Sequence, residues 1–488
     1  MKHEDNKSKY SKCEDIVKQN NSAEKNEIND SNISRRSALK LGALGALFTG
    51  IAVTQAPQRV TAKTLDKEAK KALIKEHDDF PYLISKNYKP FNQEKLVFTQ
   101  GFMRTNPEIA KVAKEYMEAS HSGDPSMGTG YTQVDHALRE GSGSLMKFCT
   151  DFSAAAIPGH GILSWEQKHK PSSMFDPMVI AHKKHQFKTK AEASEAIKRA
   201  AKLYGASMVG ITRNDPRWNY TPMVDFTKTW QGKEPVIKWS DFPFKPKSVI
   251  VMAFEMDYEA MSTAPSLVEE GTTMEAYSMM SKTAFQLSVF LKNLGFQSVP
   301  CTNDTALSVP YAIAAGLGEA SRIGILVTYK YGPRVRIAKV FTDFDFVEYD
   351  KPQTFGVFEF CKRCKRCADA CPSKSIPFDE EPTWGPTHKN AHLETGNPGI
   401  YKWYLDGFSC FQYWAKNHGD CGVCIASCPY NKPDFWHHRL VDKISALMPG
   451  SVHSFMREMD ETFGYGNTND KKAVKKFWSK KGKSYDGF

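Results

Sequence analysis

The sequence has no long apolar run after its N-terminal segment and no strong excess of charge of either sign. Its 488 residues are 41% hydrophobic and 25% charged, which is typical of a globular chain of two to four domains and excludes collagen-like, coiled-coil and mostly disordered proteins. The net charge of +11 is spread along the chain, so nothing supports a nucleic-acid partner. The N-terminal apolar run is too short to span a bilayer and no later stretch is long and apolar enough, so we expect the mature chain to be soluble or peripherally held.

Signatures of several common cofactor sites are also missing. There is no Walker A loop, no G-x-G-x-x-G following a strand and no C-x-x-C-H segment. The sequence therefore does not indicate P-loop nucleotide binding, a Rossmann dinucleotide site or covalent haem attachment.

Cysteine is scarce outside one region, because eight of the eleven cysteines lie between positions 361 and 428. The first run, C-x2-C-x2-C-x3-C-P, is the bacterial ferredoxin pattern, in which three thiolates bind one iron–sulfur cluster and the fourth binds the neighbouring cluster. The second run ends in the same C-x2-C-x3-C-P, with its first ligand displaced upstream. The pattern predicts two [4Fe-4S] clusters, one held by Cys361, Cys364, Cys367 and Cys428 and the other by Cys371, Cys410, Cys421 and Cys424.

Zinc and disulfides are the alternatives for these cysteines. Paired C-x2-C elements also make zinc ribbons, but a third cysteine at x2 spacing and a Cys-Pro after each x3 gap belong to the ferredoxin pattern. Disulfides between cysteines this close in sequence would be strained or easily reduced. Two adjacent clusters would conduct single electrons, which predicts an electron acceptor in the roughly three hundred residues that precede them.

The N-terminal segment has the composition of an export signal. Polar residues fill positions 1–33, where we expect disorder, and Arg35 and Arg36 then precede an apolar run from Leu41 to Val53. The paired arginines resemble a twin-arginine signal, although Ala38 stands where that signal usually has Phe. Cleavage after Ala56 or after Ala62 would fit, and such a signal would place the folded protein outside the cytoplasmic membrane.

Between the leader and the cysteines, the periodicity alternates between helix and strand. It predicts a helix and strand over Ala191–Arg213, a strand over Lys247–Phe254, a helix over Thr273–Leu294, and strands over Ile323–Thr328 and Val335–Phe341. This alternation indicates an α/β or α+β layer fold, in which flavin, corrinoid or siroheme could each bind. We expect a leader at 1–62, an N-terminal region at 63–180, a catalytic core at 181–350, a ferredoxin-like domain at 351–434 and an extension at 435–488.

Taken together, these features resemble the catalytic subunit of the respiratory reductive dehalogenases. The segments at 315–319 and 331–337 look like the family's corrinoid-binding core, which the resemblance suggests is nitroreductase-like. It implies a base-off corrinoid of the cobalamin type, reduced to Co(I) by the two clusters, with no protein ligand below cobalt. The absence of a D-x-H-x-x-G segment agrees with that expectation. The reaction would replace halogen by hydrogen on a small hydrophobic organohalide, with a chlorinated ethene as our expectation.

The resemblance also implies four active-site residues, namely Thr273, Tyr277, Asn303 and Arg336. Each has an ordinary structural interpretation: Tyr277 on the apolar stripe of a helix, Thr273 near a helix start, Asn303 in a turn and Arg336 on a solvated strand face. In the family they would act together. Tyr277 would donate the proton, and Arg336 would lower the pKa of the tyrosine hydroxyl and stabilise the negative charge that develops. Asn303 and Thr273 would position the tyrosine or the substrate. Tyr131 is a further pocket candidate, by approximate family position, and we expect aromatic side chains to line the pocket.

The resemblance extends to partners and leaves two alternatives open. It implies a small membrane anchor protein, electrons from a membrane quinol chain, and a homodimer. An enzyme like the epoxyqueuosine reductases would share the core and both clusters but would act on RNA in the cytosol. A periplasmic iron–sulfur electron carrier would need no catalytic residues, and would leave the region upstream of the cysteines without a purpose.

Overall fold

A computed structural model describes residues 74–120, 125–150, 180–224, 236–346, 348–432, 466, 468 and 470–479. All of them belong to one compact unit, Asp66–Phe488. The leader with Arg35 and Arg36 lies outside the described residues, as does most of the 435–488 extension.

The strands in this part of the chain are short apart from those of one central sheet. They are β1 (Lys75–Glu76), β2 (Met208–Arg213), β3 (Met223–Val224), β4 (Val236–Ile237), β5 (Ser248–Glu255), β6 (Ser298–Cys301), β7 (Glu319–Ala320), β8 (Leu326–Val327), β9 (Val335–Thr342) and β10 (Gln353–Thr354).

The helices lie before, between and after these strands. They are α1 (Val97–Phe102), α2 (Pro107–Ser120), α3 (Gln133–Thr150), α4 (Lys190–Leu203), α5 (Tyr258–Met261), α6 (Leu267–Asn293), α7 (Ser308–Ala314), α8 (Val357–Cys364), α9 (Arg366–Ala370), α10 (Gly407–Asn417), α11 (Val423–Ala426) and α12 (Lys471–Ser479).

The central sheet has four strands in the order β2–β5–β9–β6, and each neighbouring pair is antiparallel. The two central strands are buried on both sides, and β5 is accordingly apolar at six of its eight positions, whereas β9 also carries Arg336, Lys339 and Thr342. One face, with Met252 and Val340, packs against α4 and α6. The other, with Val251 and Phe341, packs against α7 and the loops around it.

Helix α6 is the longest helix and crosses the sheet next to β9. Ser266 caps its N-terminus by accepting a hydrogen bond from the Glu269 amide at 3.2 Å. Its apolar stripe includes Met280, Ala284, Leu287 and Leu291, all fully buried. The helix ends at Asn293, and Gly295 follows with a φ of +84°, a conformation that glycine adopts without strain.

The predicted elements are largely confirmed, with differences at their bounds. The helix predicted from Thr273 begins two turns earlier, at Leu267, because its first turns carry small and polar residues that lack the apolar periodicity. The strand predicted over Ile323–Thr328 is reduced to β8, which pairs with β7 outside the central sheet. The mixed helix-and-strand architecture is confirmed, and its central sheet is antiparallel. The nitroreductase-like label stays a prediction.

After the sheet, the chain enters the cysteine-rich region. The first run spans α8 and α9, and the second begins in α10 and ends after α11. The nine described cysteines are free, so the disulfide alternative is excluded for them. No helix among the described residues is both long enough and apolar enough to span a membrane.

Candidate active site

A cavity of about 1210 Å³ lies beside the sheet and collects all four predicted active-site residues. Thr273 and Tyr277 reach it from α6, Arg336 from β9, and Asn303 from the turn after β6. Aromatic side chains make up much of its wall, as expected for a pocket that binds a hydrophobic substrate. These are Phe80, Tyr82, Phe98, Phe102, Tyr116, Tyr220, Tyr401 and Trp414.

Arg336 reaches this cavity because of its place in the strand alternation. It lies on the same face of β9 as Ala338 and Val340, which pack against α6. The sequence alone suggested a solvated strand face, but α6 covers this one and places Thr273 and Tyr277 opposite the arginine. The remaining exposed surface of Arg336 is part of the cavity wall.

A chain of hydrogen bonds connects Arg336 to the beginning of α6. Arg336 Nη2 donates to Thr273 Oγ1 at 3.2 Å, and Thr273 Oγ1 donates to Glu269 Oε1 at 3.1 Å. Glu269 is fully buried and Thr273 is 2% exposed, so these bonds do not compete with bulk water. Glu269 thereby holds the threonine hydroxyl in the orientation that accepts from the guanidinium.

Tyr277 is held from two sides. The Arg336 guanidinium lies over its ring, 5.0 Å from the ring centroid, in cation–π geometry. Asn303 Nδ2 donates to the Tyr277 hydroxyl oxygen at 3.0 Å. Because that oxygen accepts from Asn303, the hydroxyl proton can be donated to a group in the cavity.

Three buried carboxyl groups lie at the same end of the cavity, and sequence reasoning missed all of them. Glu269 and Glu270 are at the start of α6, and Asp420 is in the loop that carries Cys421. Burial, reinforced by Asp420, raises the pKa of Glu269 well above its usual value and that of Glu270 to about 8. Arg139 of α3 pairs with Glu270 at 3.4 Å, with both side chains almost completely buried.

These acids affect the charge of the arginine. Burial alone would lower the pKa of Arg336, but Tyr277, Asp420 and Glu269 raise it above its usual value. The guanidinium therefore stays cationic next to the tyrosine ring. Only Glu269 gave any signal in the sequence, and that signal was misleading, because Ser266-x-x-Glu269 has the spacing of an ordinary capping box.

Tyr131 is not among the residues that line the cavity. Its hydroxyl donates to Asn417 Oδ1 at 2.6 Å and lies 3.1 Å from the Pro265 carbonyl oxygen, which joins the end of α10 to the segment before α6. The structure therefore gives Tyr131 a packing position and does not bring it to the other four candidates.

The cysteines of the two predicted ligand sets lie close to one another. Charge interactions link Cys367 to Cys361, Cys364 and Cys428 of the first set, and also to Cys424 of the second. In the second set they link Cys410 to Cys371 and Cys424, and Cys421 to Cys410 and Cys424. The eight thiols thus form one group of near neighbours, as two adjacent clusters require, and their division into two ligand sets stays a prediction.

The chemistry of these donors suits a metal. Burial raises the pKa of Cys361 and of Cys424 to about 12, so without a cation both side chains would be thiols. Cationic iron favours the thiolate form. In the described part of the chain, no three His, Cys, Asp or Glu side chains are already arranged as a metal site, so the ligand assignment rests on spacing and on these neighbours.

The loop that carries Cys421 is in direct contact with helix α6. Gly422, next to Cys421, has a φ of +55°, and a Cβ atom at this position would overlap the carboxyl group of Glu269. The backbone of this loop therefore packs directly against the acid that orients Thr273.

Comparisons with known proteins identify both the cysteine-rich region and the chain as a whole. A family model described as a 4Fe-4S dicluster domain matches residues 360–432. In an alignment 550 positions long, including gaps, the chain is 32% identical to a tetrachloroethene reductive dehalogenase of Dehalobacter restrictus, and the alignment covers 92% of this chain and 98% of the relative. The chain belongs to the reductive dehalogenase family. A tetrachloroethene reductive dehalogenase of Sulfurospirillum multivorans is 34% identical over 317 residues, or 60% of each chain.

A solved reductive dehalogenase, described as B12-dependent, has the same fold. It is 20% identical with a TM-score of 0.58, over 85% of this chain and 53% of that one. This reductive dehalogenase chain therefore spans about half the length of the solved structure. The predicted architecture, a mixed α/β core followed by a two-cluster ferredoxin-like region, is confirmed, and the protein is an oxidoreductase of this family.

The cavity of this reductive dehalogenase fits a corrinoid. Its volume of about 1210 Å³ exceeds the roughly 300–1,000 Å³ of ordinary ligand pockets, which leaves room for a macrocycle as well as a small substrate. Among the described residues, the buried Asn397 Oδ1 of the lining has no hydrogen-bond partner and could accept from an amide of the cofactor.

Proposed function

We propose that the protein replaces a halogen by hydrogen on a chlorinated ethene, as the terminal step of organohalide respiration. The observation that carries this proposal is the convergence of Tyr277, Arg336, Asn303 and Thr273 on one aromatic-lined cavity. The tetrachloroethene and chloroethene activities of the relatives support the choice of substrate. An aromatic wall binds such a neutral, apolar molecule without leaving buried charge unpaired.

The reaction consumes two electrons and one proton and releases one halide ion. A corrinoid, when bound, supplies the low-valent metal centre that accepts electrons and breaks the carbon–halogen bond. Tyr277 donates the proton to carbon, and the phenolate that remains is stabilised by Arg336 and by the hydrogen bond from Asn303. Thr273 and Glu269 keep Arg336 in place while the charge develops.

Electrons enter through two [4Fe-4S] clusters with the ligand sets given above. The second set adjoins the cavity, since Asp420 lines it directly before Cys421, and Trp414 lines it from the helix that carries Cys410. When bound, the cluster held by this second set would lie nearer the cavity and would deliver electrons there, and the cluster held by the first set would supply it.

The export and partner assignments rest on the sequence and the family. We propose twin-arginine export through Arg35 and Arg36, a position on the outer face of the cytoplasmic membrane, a small membrane anchor protein, a quinol-linked electron donor and a homodimeric assembly. Detecting the processed protein in the periplasmic fraction, and its loss in an Arg35→Lys/Arg36→Lys variant, tests the export step.

The central experiment measures halide release by the purified, corrinoid-loaded protein with reduced viologen as donor. In a panel of chlorinated ethenes, alkanes and phenols, the ethenes should give the fastest halide release. Iron and corrinoid analysis should give about eight irons and one corrinoid per chain. Iron without corrinoid would instead indicate an electron carrier, and corrinoid without halide release would favour an enzyme like the epoxyqueuosine reductases.

A further inference from the structure

Lys402 is a cavity-lining cation with no carboxylate beside it among the described residues. It lies in the segment between the two cysteine runs and is half-buried. Burial is the sole cause that lowers its pKa, to about 8, with no contribution from any carboxylate. The contact recorded for its amine is with the ring of Tyr404, 4.9 Å from the centroid.

Other buried cations of the molecule have strong partners within the protein. Arg139 pairs with Glu270, and Arg334 pairs with Glu255. Lys339 donates to the Thr302 carbonyl oxygen at 2.6 Å and to Ser308 Oγ at 2.7 Å. Lys402 is only half-buried and contacts the Tyr404 ring, so its ammonium remains available to an anionic ligand in the cavity.

Hydrogen bonds hold the backbone at Lys402, which limits the positions that its side chain can take. Its amide donates to the Thr383 carbonyl at 3.1 Å, and its carbonyl accepts from the Thr383 amide at 3.0 Å, which forms an antiparallel bridge. The next residue, Trp403, packs under the Arg322 guanidinium, 4.7 Å from its ring centroid. Arg322 in turn donates to the carbonyl oxygens of Cys361, Lys362, Pro377 and Asp379.

Arg322 lies between Ser321 and Gly324 in the sequence, and both of these residues line the same cavity as Lys402. Asn397 also lines the cavity, and its Oδ1 is a buried acceptor without a partner among the described residues. A cation and a free acceptor that line one cavity suit a ligand that carries an anionic group together with hydrogen-bond donors. An organohalide has neither, whereas a complete corrinoid has a phosphate in its nucleotide tail and amides around its ring.

We propose that Lys402 binds the tail phosphate of the corrinoid, so that the segment between the two cysteine runs selects cofactors that carry this group. The inference rests on the proposed function insofar as the cavity holds a corrinoid. It goes beyond that function in naming the group recognised and the residue that recognises it.

The test measures the binding of two corrinoids that differ by the phosphate alone, cobinamide and cobinamide phosphate. Both are titrated into iron-loaded, corrinoid-free protein, and binding is followed by absorbance and by the corrinoid retained after gel filtration. The wild-type protein should bind the phosphorylated form roughly tenfold more tightly or better. Lys402→Met should bind the two forms equally, and Lys402→Arg should keep most of the preference.

Lys114→Met is the matched control, since Lys114 also lines the cavity but is 76% exposed and pairs with Glu118 at 3.7 Å. It should keep the wild-type preference. A Lys402→Met protein with an unchanged preference would overturn the assignment while leaving the proposed function intact. Restoration of cobinamide binding by added inorganic phosphate would also count against it, because the site would then take a free anion. A wild-type protein that binds neither corrinoid would overturn both proposals.

Discussion

Two groups of residues at the cavity differ in how their side chains are held. Tyr277, Arg336, Thr273 and Glu269 are joined to one another or to Asn303 by hydrogen bonds and a cation–π contact within the protein, although Arg336 Nε and Glu269 Oε2 keep no hydrogen-bond partner among the described residues. The Lys402 ammonium and Asn397 Oδ1 have no ionic or hydrogen-bond partner among those residues. The first arrangement orients its groups for a chemical step, and the second leaves a cation and an acceptor for a ligand. The contacts that join the side chains to one another therefore distinguish a catalytic group of residues from a recognition group.

The largest effect should come from removing the tyrosine hydroxyl. Tyr277→Phe keeps the ring under the Arg336 guanidinium but removes the acidic proton, so we expect kcat for halide release to fall by about 10²–10⁴. Iron and corrinoid contents should not change. Tyr131→Phe is the matched control, because it removes a buried hydroxyl outside the cavity and should lower thermal stability with little effect on kcat. Full turnover by Tyr277→Phe would remove the tyrosine from the mechanism.

A double-mutant cycle tests whether Glu269 acts through Thr273. Glu269→Gln and Thr273→Val each interrupt the chain to Arg336, and each should lower kcat/KM by roughly tenfold. The kcat/KM of the double variant should be no lower than that of the poorer single variant, because both changes interrupt the same chain of hydrogen bonds to Arg336. Thr273→Ser keeps the hydroxyl and should restore activity. Fully additive losses would show that the two residues act independently.

The smallest effect concerns stability against pH. The pKa of Glu270 is raised from 4.5 to about 8 in the folded protein, so its folded state retains a proton that the unfolded chain has lost. Its stabilising contribution is complete below about pH 4.5 and is lost as the pH rises through about 8. The groups that face it are Asp420, Arg139, Glu140, Tyr116 and Glu269.

Differential scanning fluorimetry between pH 5 and pH 8.5 should therefore show a falling midpoint for the wild-type protein. In Glu270→Gln the decline should be smaller by about 2–4 °C over this range. Identical slopes in the two proteins would mean that Glu270 does not carry this pH dependence.

The sequence predicted the elements that have strong periodicity and the residues that have strict spacing. The stripe from Met280 to Leu291 and the eight clustered cysteines are such cases, because each position there is constrained by its neighbours along the chain. The four catalytic candidates came from resemblance, since each has an ordinary interpretation by itself. Arg336 shows why: nothing local in β9 indicates that α6 covers that face.

The remaining residues of the site could not be predicted, for physical reasons. Glu269 has the spacing of a helix cap, Asp420 lies in a cysteine loop and Lys402 in a long connection. Their importance comes from burial and from long-range packing, which a single sequence does not encode locally. The early start of α6 was missed for a related reason, since buried Glu269, Glu270 and Thr272 break the apolar pattern that defines a helix.

Gly422 has a consequence for how such enzymes can be recombined. Because its backbone lies against Glu269, the loop with Cys421 and the beginning of α6 share one surface that excludes any larger residue. A chimera that joins the ferredoxin-like region of one family member to the core of another would need to inherit positions 269 and 422 as a pair. Grafts that separate the pair should lose turnover even when both parents are active and both metal cofactors are present.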